Sequence, residues 1–79
     1  MNYTYVIALE ILISFGFVPN KKNPRYHHAK VTISGYTVYT KDFASAQRIA
    51  TRVMRALAKR GINPRYYIED EFGGYQYNW

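Results

Sequence analysis

Residues 45–60, SAQRIATRVMRALAKR, decide how this sequence folds. Drawn at about 100° per residue, the segment is an amphipathic helix with two separate faces. Its apolar side chains share one broad arc, which consists of Ala46, Ile49, Ala50, Val53, Met54 and Leu57. Its opposite side carries a row of cations without an acid, the basic stripe: Arg48, Arg52, Arg55 and Lys59. The pattern predicts a helix that packs on a core with one side and presents positive charge on the other.

Both ends of this helix carry recognisable signals. We expect Ser45 to be its N-cap, with Asp42 as the competing cap, because either side chain can accept a hydrogen bond from a first-turn N–H. Gly61 ends the helix, and Lys59 and Arg60 in the last turn suit the negative end of the helix dipole. The sequence therefore predicts a helix of about four turns.

Upstream of this helix, residues 28–40 have the pattern of a β-hairpin. Ser34-Gly35 is a two-residue turn of the kind that tolerates positive φ, and β-forming side chains flank it on both sides. The register that this turn imposes gives the core-facing pairs Val31–Val38 and Ile33–Tyr36. The opposite face then receives the pairs Thr32–Thr37 and Lys30–Tyr39.

The apolar segment of residues 3–17 fits either a helix or a strand. Its odd positions are all apolar or aromatic, as in a buried strand, but fifteen residues exceed the usual strand length. Gly16, a hydrophobic residue and Pro19 follow in the order of a Schellman helix end, so we predict a helix over 5–15 with Thr4 as its N-cap. Because the segment is apolar nearly all round, we expect this helix to be largely buried.

Downstream of residue 60, residues 65–69 predict a third strand, and Gly73-Gly74 can turn the chain into a fourth at 75–79. The alternative for these last residues is an aromatic contact surface. The chain therefore predicts a single α+β domain spanning 1–79, in which a small antiparallel sheet packs against two helices. The predicted order is α-β-β-α-β(-β).

Charge is distributed unevenly along the chain. The total is +6, but residues 20–65 contain all eleven Lys and Arg and a single acid, Asp42, for a net of +10. Such asymmetry favours a polyanionic partner, meaning nucleic acid, an anionic membrane or an acidic protein groove. The membrane ranks last of the three, because no large apolar side chains border the basic stripe.

The sequence predicts neither a membrane span nor an export signal. The apolar residues 5–18 are fewer than the ~20 that cross a bilayer, and they include Glu10. No basic region precedes them and no small-residue cleavage site follows. Cysteine is absent, which fits a reducing compartment. We therefore expect a cytoplasmic protein that does not interact with membranes, and the sequence leaves its oligomeric state open.

No set of residues in the sequence predicts catalysis. The only histidines are His27 and His28, and as neighbours on a strand they would point to opposite faces rather than share a metal. Glu69, Asp70 and Glu71 fit a solvated acidic turn better than a carboxylate metal cluster. We therefore expect a non-enzymatic protein without a cofactor or a metal site.

The order helix, hairpin, helix over residues 5–60 resembles the double-stranded-RNA-binding domain, which runs α-β-β-β-α. The likeness rests on Gly16 after the first helix, the Ser34-Gly35 turn, and Ser45 ten residues after Gly35. In that family the second helix starts with a Lys-Lys-x-Ala-Lys phosphate clamp, whereas residues 46–50 here, AQRIA, hold one cation. The resemblance implies RNA binding, although the cations of this chain run along the helix instead of crowding its start.

Residues 28–79 also resemble the small β-β-α-β-β proteins encoded by bacteriophages, including some anti-CRISPR proteins. Residues 45–50, SAQRIA, are similar to the start of the helix that follows a strand in those proteins. This second resemblance implies a non-enzymatic inhibitor that acts in the host cytoplasm. Such an inhibitor occupies a nucleic-acid groove or binds a nucleoprotein effector or another host protein.

The leading functional hypothesis is that the chain binds a nucleic-acid backbone with little sequence preference, because phosphate contacts position a protein without reading bases. The expected contact residues are the basic stripe and three cations of the polar loop: Arg48, Arg52, Arg55, Lys59, Lys21, Lys22 and Arg25. This hypothesis allows either DNA or RNA as the partner. The alternative is a phage-type inhibitor of a host defence or nucleoprotein effector that acts through protein–protein binding.

Overall fold

Two helices and four antiparallel strands make up the computed structural model, which describes residues 3–22 and 24–78. This arrangement confirms the predicted α+β class and the predicted order, including the fourth strand. In chain order the elements are α1 (Tyr3–Ser14), β1 (Ala29–Ile33), β2 (Tyr36–Thr40), α2 (Phe43–Ala58), β3 (Tyr66–Asp70) and β4 (Tyr75–Tyr77).

The strands lie side by side in the order β2-β1-β3-β4, and each neighbouring pair is antiparallel. β2 and β3 therefore run in the same direction on either side of β1, and α2 makes the crossover between them. Both helices contribute to one core with the sheet. Its largest fully buried side chains are Leu12, Val31, Ile33, Val53, Leu57 and Ile68.

The β1–β2 hairpin has the predicted register. Val31 lies opposite Val38 and Ile33 opposite Tyr36, with the threonine pair on the other face. Ser34 and Gly35 have φ values of 51° and 84°, which is the two-residue turn whose twist matches that of the flanking strands. The Thr32 and Thr37 hydroxyl oxygens lie 3.1 Å apart, as expected for a cross-strand pair.

The helix α2 begins two residues before the predicted cap, so the choice of Ser45 as N-cap was wrong. Asp42 is the cap: its backbone is extended, and its carboxylate accepts a hydrogen bond from the Ser45 N–H at 2.7 Å. This hydrogen bond lowers the pKa of Asp42, and the charges of Lys41 and Arg48 lower it further. Asp42 prevails because its carboxylate also carries the charge that a helix N-terminus favours.

The helix α1 spans Tyr3–Ser14 and closes with the predicted Schellman motif. The Phe17 N–H donates to the Leu12 carbonyl at 3.0 Å and the Gly16 N–H to the Ile13 carbonyl at 2.9 Å, with Gly16 at φ 85°. At the other end, Thr4 lies inside the helix, so its assignment as N-cap was wrong.

The expectation that α1 is largely buried was also wrong. Its buried side chains are Ala8, Ile11 and Leu12, which form one stripe at helical spacing. Neighbouring apolar side chains face outward, and Ile13 is 59% exposed. The reason is that α1 packs along α2 with one side only, and an apolar sequence does not itself provide a second surface to cover the other.

The end of the chain forms a strand rather than a contact tail at residues 75–77. β4 pairs with β3 through Tyr67–Tyr77, Ile68–Gln76 and Glu69–Tyr75. Asn78 continues this contact, since its side-chain oxygen accepts from the Tyr66 N–H at 2.7 Å and its amide donates to the Pro64 carbonyl at 3.1 Å. Trp79, which the predicted strand included, lies outside the described residues.

Candidate nucleic-acid interface

All four side chains of the basic stripe are exposed, three of them on α2 and that of Lys59 at its C-cap. From Arg48 to Lys59 the stripe covers about 16 Å along the helix axis. On the other side of α2, four residues of the apolar arc are buried in the core, namely Ala46, Ala50, Val53 and Leu57, and Ile49 and Met54 are partly buried. The exposure of the stripe therefore follows from the core packing, because the cations lie on the helix face opposite to the one that is buried.

Two arginines of the stripe are held by neighbours within the molecule. Arg48 donates from Nη2 to the hydroxyl of Ser45 at 3.0 Å. The guanidinium carbon of Arg52 lies 4.8 Å from the centre of the Phe15 ring, at the C-terminal end of α1. These contacts limit the conformations of both side chains, so less entropy is lost when an anion binds their planar guanidinium groups.

The C-terminal halves of α1 and α2 enclose a groove with a volume of about 480 Å³. Its apolar lining comes mainly from Ile11 and Phe15 of α1. Its charged lining comes from Arg52, Arg55, Lys59 and Arg60. Four cations around one groove create a local positive potential that would attract a phosphate group.

Arg60 also lines this groove, although it was not among the predicted contact residues. Its position follows from the end of α2, where Gly61 at φ 73° turns the chain and the Arg60 N–H donates to the Leu57 carbonyl at 2.9 Å. A residue just before a Schellman glycine lies on the last turn of the helix. That signal was present in the sequence, but only the packing of α1 on α2 shows that a groove lies beside it.

No acid pairs with the basic stripe among residues 3–22 and 24–78. The carboxylates of Glu71 and Glu69 instead contact His28 at 2.7 Å and Lys30 at 3.0 Å, both on the sheet side of the molecule. Arg48–Arg52 and Arg55–Lys59 each place like charges four residues apart, which costs an isolated helix about 0.2–0.5 kcal/mol per pair. The arrangement is slightly unfavourable for the helix and favourable for an anionic partner.

The loop cations lie on another part of the molecule. Lys21 and Lys22 are exposed and line a cavity of about 470 Å³ with Phe17 and with Val38 and Tyr39 of β2. Asn20 attaches this loop to the edge of the sheet through two hydrogen bonds with Thr37, of 2.6 and 2.9 Å. That cavity shares no residue with the groove between the helices, so the loop lysines form a second basic area beside β2. Arg25 is exposed in the same loop.

The two histidines do not have the geometry predicted for them. β1 begins at Ala29, so His27 and His28 precede the strand, and their rings stack with centres 4.8 Å apart instead of pointing to opposite faces. The Nδ1 atom of His28 contacts the carboxylate of Glu71. In the described part of the chain, no three His, Cys, Asp or Glu side chains come together in a way that could hold a metal ion.

Comparison with known proteins identified no relative of this chain. No protein-family model, no curated protein and no solved structure matches the chain. Within the described ranges, neither helix has the length and apolar character to cross a membrane. The functional interpretation therefore depends on the chemistry of the surfaces described above.

Proposed function

We propose that this chain is a small, basic, non-enzymatic protein that binds the backbone of a nucleic acid with little sequence preference. The observation that carries the proposal is the exposed basic stripe, whose four cations form no salt bridge with a carboxylate of the described residues. Its continuation into the groove between α1 and α2 supports the same proposal. We place the protein in the cytoplasm, or in the host cytoplasm if a phage encodes it.

The geometry of the stripe suits a polyphosphate better than a single small anion. Its cations extend over about 16 Å, and double-stranded DNA carries one charge per ~1.7 Å of axis, so several phosphates come within reach. Guanidinium groups bind phosphate oxygens in a charge-assisted and often bidentate manner. Because such contacts do not reach base edges, little sequence preference follows.

The test measures how affinity for a labelled duplex depends on salt. Each neutralised phosphate contributes about −0.9 to the slope of log affinity against log salt concentration, so four contacts give a slope of about −3.6. Fluorescence anisotropy between about 50 and 200 mM salt measures this slope, and two unrelated sequences should give equal affinities. A slope near zero for wild-type protein would contradict the proposal.

A matched pair of variants separates the stripe from general positive charge. Arg55→Gln removes one groove cation, whereas Lys41→Gln removes one exposed cation that lies before α2. Both lower the formal net charge from +6 to +5. We expect Arg55→Gln to flatten the salt slope by about 0.9 and Lys41→Gln to leave it close to that of the wild type. Equal effects of the two would mean that net charge alone causes binding.

The second candidate is an inhibitor that binds a host protein or nucleoprotein. The outer face of α1 favours it, since Tyr3, Val6 and Ile13 are 66%, 45% and 59% exposed and exposed apolar patches often mark protein interfaces. Affinity capture from a host lysate treated with nuclease distinguishes the two candidates. A stoichiometric protein that survives the nuclease would favour inhibition, and loss of all captured material would favour nucleic-acid binding.

A further inference from the structure

The sheet has a second face, directed away from the core, that in the described part of the chain only the first turn of α1 borders, at the end with the hairpin turn. Val31 and Ile68, on the helix-covered face, are fully buried. Side chains on strands alternate between faces, so their neighbours in sequence point away from the helices. This uncovered face carries Lys30, Thr32, Thr37, Tyr39, Tyr67, Glu69, Tyr75 and Tyr77.

Three tyrosines of β3 and β4 form a cluster on the uncovered face. The rings of Tyr67 and Tyr75 are nearly parallel, with centres 6.0 Å apart and an angle of 17° between their planes. The Tyr77 ring lies 5.4 Å from that of Tyr75 and is tilted by 59°. Tyr75 and Tyr77 are 51% and 52% exposed, so large parts of both rings contact solvent. We name these three residues the tyrosine platform.

The β3–β4 turn holds the platform in place before any partner binds. Asp70 Oδ1 accepts hydrogen bonds from the N–H groups of Phe72 and Gly74 at 3.0 and 2.6 Å. The Asp70 N–H donates to the Gly74 carbonyl at 3.1 Å, which closes the turn. At the far end, Asn78 connects β4 to the beginning of β3. A rigid aromatic surface loses little entropy on binding a flat partner.

A cavity of about 830 Å³ adjoins the platform at the end of the sheet that holds the hairpin turn. Tyr67 and Thr32 line it, and so does the exposed Arg65, which precedes β3. Ser34 of the hairpin turn also lines this cavity, although its hydroxyl oxygen is itself buried. The exposed guanidinium group of Arg65 in this cavity is suited to bind an oxyanion such as a phosphate.

The centre of the uncovered face is electrically balanced. Lys30 on β1 and Glu69 on β3 lie opposite each other, with 3.0 Å between Nζ and Oε1. The hydrogen bond to Glu69 raises the pKa of Lys30, so the lysine stays charged and paired. The affinity of this face for an anionic polymer must therefore come from the rings and from Arg65, unlike that of the basic stripe.

We propose that the uncovered face binds unpaired nucleotides, whose bases stack on Tyr75 and Tyr77 and whose phosphate enters the cavity beside Arg65. This inference rests on the proposed function, and it specifies single strands as the nucleic acid that this face accepts. Base stacking on aromatic side chains is tolerant of sequence, because every base has a π face. A duplex keeps its bases stacked inside and does not offer them to the rings.

The two surfaces lie on opposite sides of the sheet, and they should therefore respond to different probes. Duplex binding should use the basic stripe, and single-strand binding should use the tyrosine platform in addition. The probes are a labelled oligothymidine and the same oligonucleotide annealed to its complement. Anisotropy titrations of both probes yield one affinity and one salt slope for each protein variant.

Substitution of the platform should weaken single-strand binding selectively. We expect Tyr75→Leu and Tyr77→Leu each to reduce affinity for oligothymidine by about 5- to 150-fold, which is the usual effect of removing one stacked aromatic. The affinity for the duplex should not change. Tyr3→Leu is the matched control, because Tyr3 is also an exposed tyrosine but lies on α1 rather than in the platform. This variant should bind both probes with the same affinity as the wild type.

Arg65→Gln tests the cavity separately. We expect it to flatten the oligothymidine salt slope by about 0.7, the contribution of one phosphate on a single strand, and to leave the duplex slope unchanged. An unchanged oligothymidine slope would remove the phosphate site from the proposal. Far-UV circular dichroism and thermal melts confirm that each variant is folded.

Photocrosslinking of wild-type protein gives a test that needs no variant. Trypsin cleaves after Arg65, and residues 66–79 contain no further Lys or Arg, so one peptide holds the whole platform. Oligonucleotides with bromouridine should crosslink to this peptide. Crosslinks found only on peptides of α2 would overturn the inference.

The outcomes distinguish failure of this inference from failure of the proposed function. If Tyr75→Leu and Tyr77→Leu bind oligothymidine like wild type while Arg55→Gln weakens duplex binding, the inference is wrong and the proposed function stands. If neither probe binds wild-type protein, the proposed function itself is wrong. If Tyr75→Leu changes only the capture of a nuclease-resistant protein, the platform is a protein interface and the inference is overturned.

Discussion

Neighbouring residues on α1 should differ greatly in their contribution to stability. Leu12 is fully buried, whereas Ile13, one residue further along the chain, is 59% exposed. Removing a buried leucine side chain to alanine costs about 2–5 kcal/mol of unfolding free energy, since apolar contacts are lost and a cavity remains. A chain of 79 residues has about 4–12 kcal/mol in total, so Leu12→Ala should remove a large fraction of it.

The cost of Ile13→Ala should be much smaller. Full burial of an isoleucine contributes about 1.5–3 kcal/mol, and less than half of the Ile13 surface is covered, which leaves about 1 kcal/mol or less. Alanine also favours the helix by a few tenths of a kcal/mol over isoleucine. The two substitutions are therefore expected to differ by at least about 1 kcal/mol, although both remove aliphatic carbons from the same helix.

Guanidinium chloride denaturation followed by circular dichroism measures this difference. With a slope of about 2 kcal/mol per molar, Leu12→Ala should lower the midpoint by about 1–2.5 M and Ile13→Ala by less than about 0.5 M. Equal shifts would refute the assigned packing of α1. Repeating the measurement at several protein concentrations would then show whether a second copy covers Ile13, because only association makes the midpoint depend on concentration.

Two further predictions concern the ends of elements. Asp42→Ala should lower the melting temperature at pH 7, since the folded pKa of Asp42 is lowered and its stabilisation exists above the unfolded pKa of about 4. The gap to wild type should narrow as pH falls through the folded pKa; a gap that is constant with pH would contradict the cap. Gly74→Ala should cost about 1–3 kcal/mol in chemical denaturation, because a Cβ 2.9 Å from both carboxylate oxygens of Asp70 would displace the Oδ1 that accepts from the Phe72 and Gly74 N–H groups. Phe72→Ala in the same turn should change stability by less than about 0.5 kcal/mol, as Phe72 is 87% exposed.

Local chemistry explains the elements that the sequence predicted correctly. The hairpin register follows from a two-residue turn, in which Ser34 and Gly35 both take positive φ. The helix ends follow from Gly16 and Gly61, whose φ values of 85° and 73° suit a residue without a Cβ. Each signal acts over a few residues, so the sequence contains it completely.

The errors arose where two local signals compete or where a distant partner is needed. Ser45 and Asp42 both have side chains that can cap a helix, and the start of α2 at Phe43 decides in favour of Asp42. The outward face of α1 could not be predicted from its composition, because burial depends on which surfaces reach it. Neither a helical wheel nor the alternation of apolar residues along the sequence shows which other surfaces will reach α1.

The sequence by itself determined the class of the fold, the hairpin register, the C-terminal ends of both helices and the outward basic stripe. Only the tertiary structure decided which candidate functional residues come together. Arg60 joins the groove because α1 crosses beside the last turns of α2. The tyrosine platform exists because β4 pairs with β3 and both helices pack on the opposite face. Periodicity tells which side chains share a face of one element, whereas long-range pairing decides which faces meet and which remain uncovered.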